Sequence, residues 1–315
     1  MTVAAAPDDD RNLLHLEMRG DSRIYCLAFS PNGKTIASAG SESDATGFCV
    51  RIRDVSTGET VFKIPTPLRN QMKYIVFSPS GRSFVATDYV GTNYCHVSLG
   101  QAPQISLFRQ FENVSTPARH GIFLTDDEFL FITSRGVASL WNVKTRQSKW
   151  FDLWSKAHYI TAAAVDHRKK HAVWIDRFAV YVLPNMFTDF SAMKTIDHKN
   201  GLTRIALDPS GVRIIGSMES RLMLFNLQTE KVESEWEAHS GQILALAALS
   251  SRKGFVSADS DGVIKAWDWR GNLVRRIQAS DGAITSLAIN HDESLLASGG
   301  ESKRIQLWDL KRLYP

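Results

Sequence analysis

The chain has 315 residues, 43% of them hydrophobic and 22% charged, an ordinary globular balance with ample material for a core. A formal net charge of +4 without a block of Lys and Arg disfavours nucleic acid as a partner, and no apolar run approaches the ~20 residues that span a bilayer. Cys26, Cys49 and Cys95 form neither a CxxC pair nor a metal-ligand spacing, so a cytoplasmic protein with no metal and no cofactor is expected.

In chain order, the opening MTVAAAPDDD lacks the basic start and apolar stretch of a secretory signal, and residues 1–11 read as a disordered tail. Leu13–Met18 reads as a strand ahead of the first repeat. Phe29-Ser-Pro-Asn-Gly33 then lies between two β-rich runs, Cys26–Phe29 and Thr35–Ser38, so its Pro and Gly mark a hairpin turn. The turn recurs as Phe77-Ser-Pro-Ser-Gly81 and Leu207-Asp-Pro-Ser-Gly211, with weaker copies beginning after Leu124, Val165, Ala248 and Ile289. These anchors are spaced by 48, 47, 41, 42, 41 and 41 residues. A period of about 40–45 residues is that of a four-stranded propeller blade. No helical periodicity competes, so the chain reads as all-β. Only 26 residues follow Ile289, enough for a third strand ending at Leu310 but not for a fourth. Leu13–Met18 is therefore expected to complete the last blade beside Ile305–Leu310, closing a ring that would otherwise end on a bare edge.

Leu140-Trp-Asn-Val143, Ala266-Trp-Asp-Trp269 and Leu307-Trp-Asp-Leu310 end third strands, with Arg53-Asp54 and Phe225-Asn226 as degenerate versions. On these residues the chain resembles the WD-repeat family from about Asn12 to Leu310. The resemblance implies a single seven-bladed β-propeller over residues 12–315, built of four-stranded antiparallel blades. The compact length and turn type resemble a stand-alone bacterial member. It also implies a hydrogen-bonded set in blade six: His239 before the first strand, Ser257 in the second, Asp261 in the turn and Trp267 in the third. Blade five keeps His198 but has Phe225 for Trp; blade seven keeps Ser298 and Trp308 but has Ser280 and Ser302 in the His and Asp places. A His, Asp and Ser that satisfy one another inside a blade are structural, and nothing presents Ser257 to a cleft as a nucleophile.

By the same resemblance, residues at the start of each first strand rim the central channel. Those with anchoring capacity are Arg23, Tyr25, Gln71, Lys73, His120, Tyr159 and Gln242, since Arg and aromatic groups combine contact area with directed hydrogen bonds. Extra length at Gly40–Phe48, Pro65–Lys73 and Glu112–Arg119 thickens the same face over blades one to three. Trp150 and Trp154 share one face of an outer strand, and Arg168-Lys-Lys170 forms a basic turn between His167 and His171. The expected function is a monomeric, non-catalytic scaffold for a protein or peptide partner. A hydrolase-like enzyme with a site at the channel is the alternative; it would need convergent carboxylates, a metal or a cofactor, which the rim residues do not supply.

Overall fold

The Pro-Gly turns set the architecture. At Gly33, Gly81 and Gly211 the backbone φ is 69°, 71° and 71°, the left-handed region that a residue with a Cβ enters only at a cost. Each of these amides donates to the carbonyl of the residue that follows the anchor: Ser30, Ser78 and Asp208. In the seventh copy Glu293 adopts the same conformation (φ 53°) and donates to Asn290. One tight turn thus folds two short apolar runs into a hairpin in four of the repeats.

The computed structural model describes residues 12–20, 22–44, 47–66, 72–88, 93–100, 103–109, 118–133, 137–152, 160–165, 171–176, 179–184, 194–197, 201–251 and 253–315. A first strand, β1 (Leu14–Arg19), precedes the blades. Blade one is β2 (Ile24–Phe29), β3 (Thr35–Asp44), β4 (Gly47–Asp54) and β5 (Thr60–Pro65). Blade two is β6 (Met72–Phe77), β7 (Ser83–Asp88), β8 (Asn93–Ser98) and β9 (Gln104–Arg109). Blade three is β10 (Ala118–Phe123), β11 (Glu128–Thr133), β12 (Val137–Asn142) and β13 (Gln147–Asp152). Blade four is β14 (Ala162–Val165), β15 (His171–Ile175), β16 (Ala179–Pro184) and β17 (Lys194–Asp197). Blade five is β18 (Arg204–Leu207), β19 (Arg213–Met218), β20 (Arg221–Asn226) and β21 (Lys231–Glu237). Blade six is β22 (Ile243–Ala248), β23 (Phe255–Asp259), β24 (Val263–Trp267) and β25 (Leu273–Gln278). Blade seven is β26 (Ile284–Ile289), β27 (Leu295–Gly300) and β28 (Arg304–Asp309), completed by β1. All seven sheets are four-stranded and antiparallel, six of them in chain order and the seventh completed by β1, so the fold is a seven-bladed β-propeller.

Six of the seven sequence anchors end a first strand; the third does not, since β10 ends at Phe123 and Leu124 already belongs to the turn, its amide donating to the Glu128 carbonyl. Gly40–Phe48 is no loop. β3 extends to Asp44 and β4 begins at Gly47, with Ser43 opposite Phe48 and Asp44 opposite Gly47, so its described residues lengthen the two strands. The last strand stops at Asp309, not Leu310. The Asp309 side chain accepts from the Lys311 and Arg312 amides and caps a short helix, α1 (Leu310–Leu313). Residues 1–11 lie outside the described residues.

The core is a series of layers between blades. Ala37, Val50 and Ile52 of blade one, for example, pack with Met72, Ile75 and Phe84 of blade two. Sealing the ring adds a polar layer to this apolar stack. β1 pairs antiparallel with β28, from Leu16 opposite Leu307 to Arg19 opposite Arg304, and buries Met18 among Ile305, Leu307 and Ile36. Around it the Gly20 amide donates to the Lys303 carbonyl, the Asp309 amide donates to the Leu13 carbonyl, and the Arg312 guanidinium donates to the Asn12 carbonyl. From blade one, the buried Arg53 guanidinium donates to Ser38 Oγ (2.6 Å) and reaches the Arg19 carbonyl of β1 (3.4 Å).

Removal of residues 1–18 strips most of β1 and bares the β28 edge. The truncated chain is expected to unfold at much lower temperature than the full chain, or to aggregate; a truncated monomer with an unchanged melting curve would contradict closure by this strand.

Candidate functional site

The most polar buried constellation among the described residues lies in blade six. His239 Nδ1 is 2.8 Å from Asp259 Oδ2, His239 Nε2 is 2.7 Å from Ser257 Oγ, and Trp267 Nε1 donates to the same Ser257 oxygen at 2.8 Å. A carboxylate only accepts, so the neutral imidazole carries its proton on Nδ1, facing Asp259, and Nε2 accepts from the Ser257 hydroxyl. Asp259 Oδ1 accepts from the Asp261 and Val263 amides, so both its oxygens are engaged. The His239 and Asp259 side chains have no exposed surface, and Ser257 is buried. Burial pushes the His239 pKa below its ordinary value, against the hydrogen bond and charge of Asp259 that favour the protonated ring. The set has the chemistry of a triad but no opening to a substrate; it cross-ties the blade.

The carboxylate of this set is Asp259, not Asp261. β23 ends on Asp259, which alternation aims inward with Ser257, whereas Asp261 lies beyond the strand in the turn, exposed, its Oδ1 accepting from Ser260 Oγ. The same shift applies to blade seven. Gly300, at the end of β27, occupies the Asp place in the ladder rather than Ser302, and Trp308 Nε1 donates to Ser298 Oγ at 2.9 Å. Blade one solves the problem differently. Arg53 opposes Ile36 as Trp267 opposes Phe255, so a guanidinium stands in for an indole and donates to Ser38 as Trp267 donates to Ser257. Blade four buries Asp176, which accepts from the Ala179 amide and the Tyr181 hydroxyl, with Tyr181 stacked on Trp174. His198 lies outside the described residues.

Antiparallel order places every turn between second and third strands, and every connection between blades, at one end of the ring. Of the residues expected at the rim, Arg23 is exposed and forms an ion pair of 3.4 Å with Glu301, Tyr25 is half-buried in β2, and Gln242 is exposed, its amide donating to Ser260 Oγ. Lys73 falls in β6 and His120 in β10, with their side chains undescribed; Gln71 and Tyr159 lie outside the described residues. Trp150 is in β13, the outer strand of blade three, while Trp154 and the 167–170 turn also lie outside them. Pairing of Arg23 with Glu301 joins the rim to a polar cleft of about 420 Å³ lined by Gln278, Asp281, Glu301 and Arg304. Sequence reading missed that cleft, because its groups come from blades six and seven and meet only in the folded ring. An exposed pair of this kind adds little stability.

A cavity of about 340 Å³ lies among the first strands of blades two to six, lined by Val76, Ile122, Ala163, Ile205, Ala206 and Ala247 together with Tyr74, Asp208 and Ser250. Asp208 at its mouth is already occupied, accepting from the Val212 and Arg213 amides and from Ser210. Among the described residues no three His, Cys, Asp or Glu side chains are grouped to hold a metal.

The pattern of the WD domain, G-beta repeat, matches residues 12–46, 230–268 and 271–309. WD repeat-containing protein 55 of Mus musculus is 22% identical over 292 residues, covering 91% of this chain and 73% of that protein. Polyadenylation factor subunit 2 of Candida albicans is 22% identical over 184 residues, 58% of this chain and 33% of that protein. Target of rapamycin complex subunit wat1 of Schizosaccharomyces pombe is 26% identical over 120 residues, 37% of this chain and 38% of that protein. The chain thus spans about a third of the length of the latter two relatives. All three are eukaryotic proteins and lend no support to a bacterial type.

Two outcomes test the polar set. Asp259→Ala strands the imidazole and two backbone amides and is expected to cost about 3 kcal/mol, whereas Asp261→Ala is expected to cost no more than about 0.5 kcal/mol; equal effects in denaturant titrations would contradict the assignment. Since the folded-state pKa of His239 is depressed, the unfolded chain takes up a proton first as pH falls through the ordinary value of 6.5. Wild type should therefore lose stability below about pH 6.5, and His239→Gln should lose less over the same range.

Proposed function

We propose that this chain, which is a WD-repeat β-propeller, is a non-catalytic binding scaffold. It recruits a protein or peptide partner on the face that carries the channel rim, through Arg23, Tyr25, Gln71, Lys73, His120, Tyr159 and Gln242. The observation that carries this reading is the disposition of its polar groups. The His–Asp–Ser set is sealed inside blade six, while Arg23 and Gln242 are exposed and Tyr25 is half-buried, near the starts of first strands. An interface needs such presented anchors, and a reaction needs convergent acid, base or metal.

Relatives named as subunits of a polyadenylation factor and of a target of rapamycin complex support membership of assemblies as the class of function. No helix among the described residues is long and apolar enough to cross a membrane. The scaffold is proposed to act in the cytoplasm as a monomer. A mild net charge of +4 favours a protein partner over nucleic acid.

The test is affinity capture from host lysate with wild type and an Arg23→Ala, Tyr25→Ala, Tyr159→Ala variant of unchanged melting temperature. A partner held by wild type and released at least tenfold more readily by the variant is expected. Equal retention by both would reject the rim, and turnover of a substrate by the purified chain would reject the scaffold.

A further inference from the structure

In four blades the ladder between third and outer strands is interrupted by a register shift: at Ile52/Arg53 in blade one, Leu224/Phe225 in blade five, Ala266/Trp267 in blade six and Leu14/Leu16 in blade seven. Such a bulge changes which side chain of the outer strand meets its neighbour. In blade six Leu273 pairs with Trp267 and Arg275 with Ala266, so the extra residue Val274 brings Arg276, not Arg275, opposite Lys265. Lys265 in turn stands opposite Ser257 of β23. Ser257, Lys265 and Arg276 therefore form one row across the sheet, on the face where Phe255 and Trp267 pack against Leu222, Leu224 and Trp236 of blade five. The same row in blade seven is Ser298, Gln306 and Glu17, and there the Gln306 amide donates to the Glu17 carboxylate. In blade one it is Ser38, Arg51 and Lys63, neither of whose cations is without a partner.

Like charges directly opposite one another repel. Among the described residues neither Lys265 nor Arg276 forms an ion pair with a carboxylate; each is held by neutral groups instead. Lys265 Nζ donates to the Ala238 carbonyl and lies 5.8 Å from the centre of the Trp267 ring. The exposed Arg276 donates to Gln278 Oε1 at 3.1 Å, and the Gln278 amide is itself held by the Asp261 and Ser280 carbonyls. The acids of blade five do not answer them. Glu235 and Glu237 pair with Arg221 and stand opposite Met223 and Arg221, on the face turned from blade six, and Glu233 pairs with Arg213. Asp259 gives its oxygens to His239 and to two amides. Burial, and then the charge of Arg276, hold the Lys265 pKa below its ordinary value, against the pull of Asp259.

We propose that Lys265 and Arg276 hold a side-chain oxyanion, a carboxylate or phosphate group, of the scaffold's protein partner, on the outer part of blade six that faces blade five. An ammonium and a guanidinium fork face each other, fixed in place, and each keeps most of its donors. An oxyanion accepts from both and relieves their repulsion, whereas an apolar or cationic group leaves it in place. The identity of the occupant as part of a protein rests on the scaffold reading, but the site is the outer part of a blade, not the channel rim.

The test labels lysine Cε with 13C in the intact chain and follows the Lys265 titration by NMR, with acetate or inorganic phosphate replacing chloride at constant ionic strength. Each probe is expected to raise the pH at which Lys265 titrates by about half a pH unit or more, because a bound anion favours the ammonium. Phosphate acting at a concentration at least tenfold below that of acetate assigns a phosphorylated side chain; a smaller preference assigns Asp or Glu. Arg276→Gln, at an exposed position, removes the repulsion, so Lys265 titrates higher without any anion and responds to both probes at least tenfold less readily. Lys34→Gln, which removes an exposed cation of blade one, is expected to respond as wild type does. A Lys265 titration that neither probe moves at tens of millimolar overturns the proposal. So does an equal response in wild type and Arg276→Gln, since the anion would then act without the pair. The Arg23→Ala, Tyr25→Ala, Tyr159→Ala variant keeps the wild-type response, so failure of this site and failure of the rim are told apart.

Discussion

A ring of sheets is stable only if its first and last members are joined, and here a single strand does that. β1 belongs to blade seven by hydrogen bonding and to the start of the chain by sequence, so the two ends of the polypeptide lock each other. The lock is apolar at Met18, which has 3% exposure, and polar at Arg53, whose guanidinium spans from Ser38 of blade one to the backbone of β1. Across the same seam Thr285 Oγ1 donates to the Ile24 carbonyl, and Ser286 Oγ accepts from the Leu27 amide. α1 then folds back so that the Tyr314 hydroxyl donates to the Phe255 carbonyl of blade six. Everything the rim presents depends on this closure, because a face made of independent turns is a fixed surface only while the ring beneath it is shut.

Within the ring, the seat at the end of each third strand shows how one packing problem accepts several chemistries. The indole of Trp267 or Trp308 fills the seat and needs one acceptor, which Ser257 or Ser298 supplies. Arg53 fills it in blade one with more donors, and takes a serine and a backbone carbonyl to satisfy them. In blade three Trp141 stacks on Phe131, an aromatic in the place of the serine. The indole of Trp267 or Trp308 and the guanidinium of Arg53 obey the same rule: a donor taken out of water is given an acceptor. Two of the pattern-matched segments, 230–268 and 271–309, hold both the Trp and its serine, while 12–46 holds Ser38 and stops short of Arg53. The intervening repeats keep the backbone plan and vary the filling.

Much of this was legible beforehand because backbone geometry writes directly into sequence. Gly33, Gly81 and Gly211 mark turns that need positive φ, and spacing from them located the first strands; closure by residues 13–18 followed from the shortage of chain after Ile289. What stayed hidden depended on counting along a strand end. Asp259 and Asp261 are two residues apart and both precede Gly262, so only the ladder, with Asp259 opposite Ile243, decides which one turns inward. Arg53 read as a decayed Trp because a buried guanidinium has no signature outside its partners. The bulges at the outer strands were invisible for the same reason: a register shift belongs to a pair of strands, not to either sequence.

Native-state amide hydrogen exchange tests closure most directly, because it reads each strand in the intact chain. If β1 and β28 lock the ring, the amides of Leu16–Met18 and Ile305–Leu307 that face each other should exchange only through global unfolding. Their opening free energy should then equal that of Val256 and Ile264 in blade six and fall with denaturant along the same slope. Exchange of β1 by a denaturant-independent local opening, well below the blade-six value, would show that the ring is shut without it and would contradict the account.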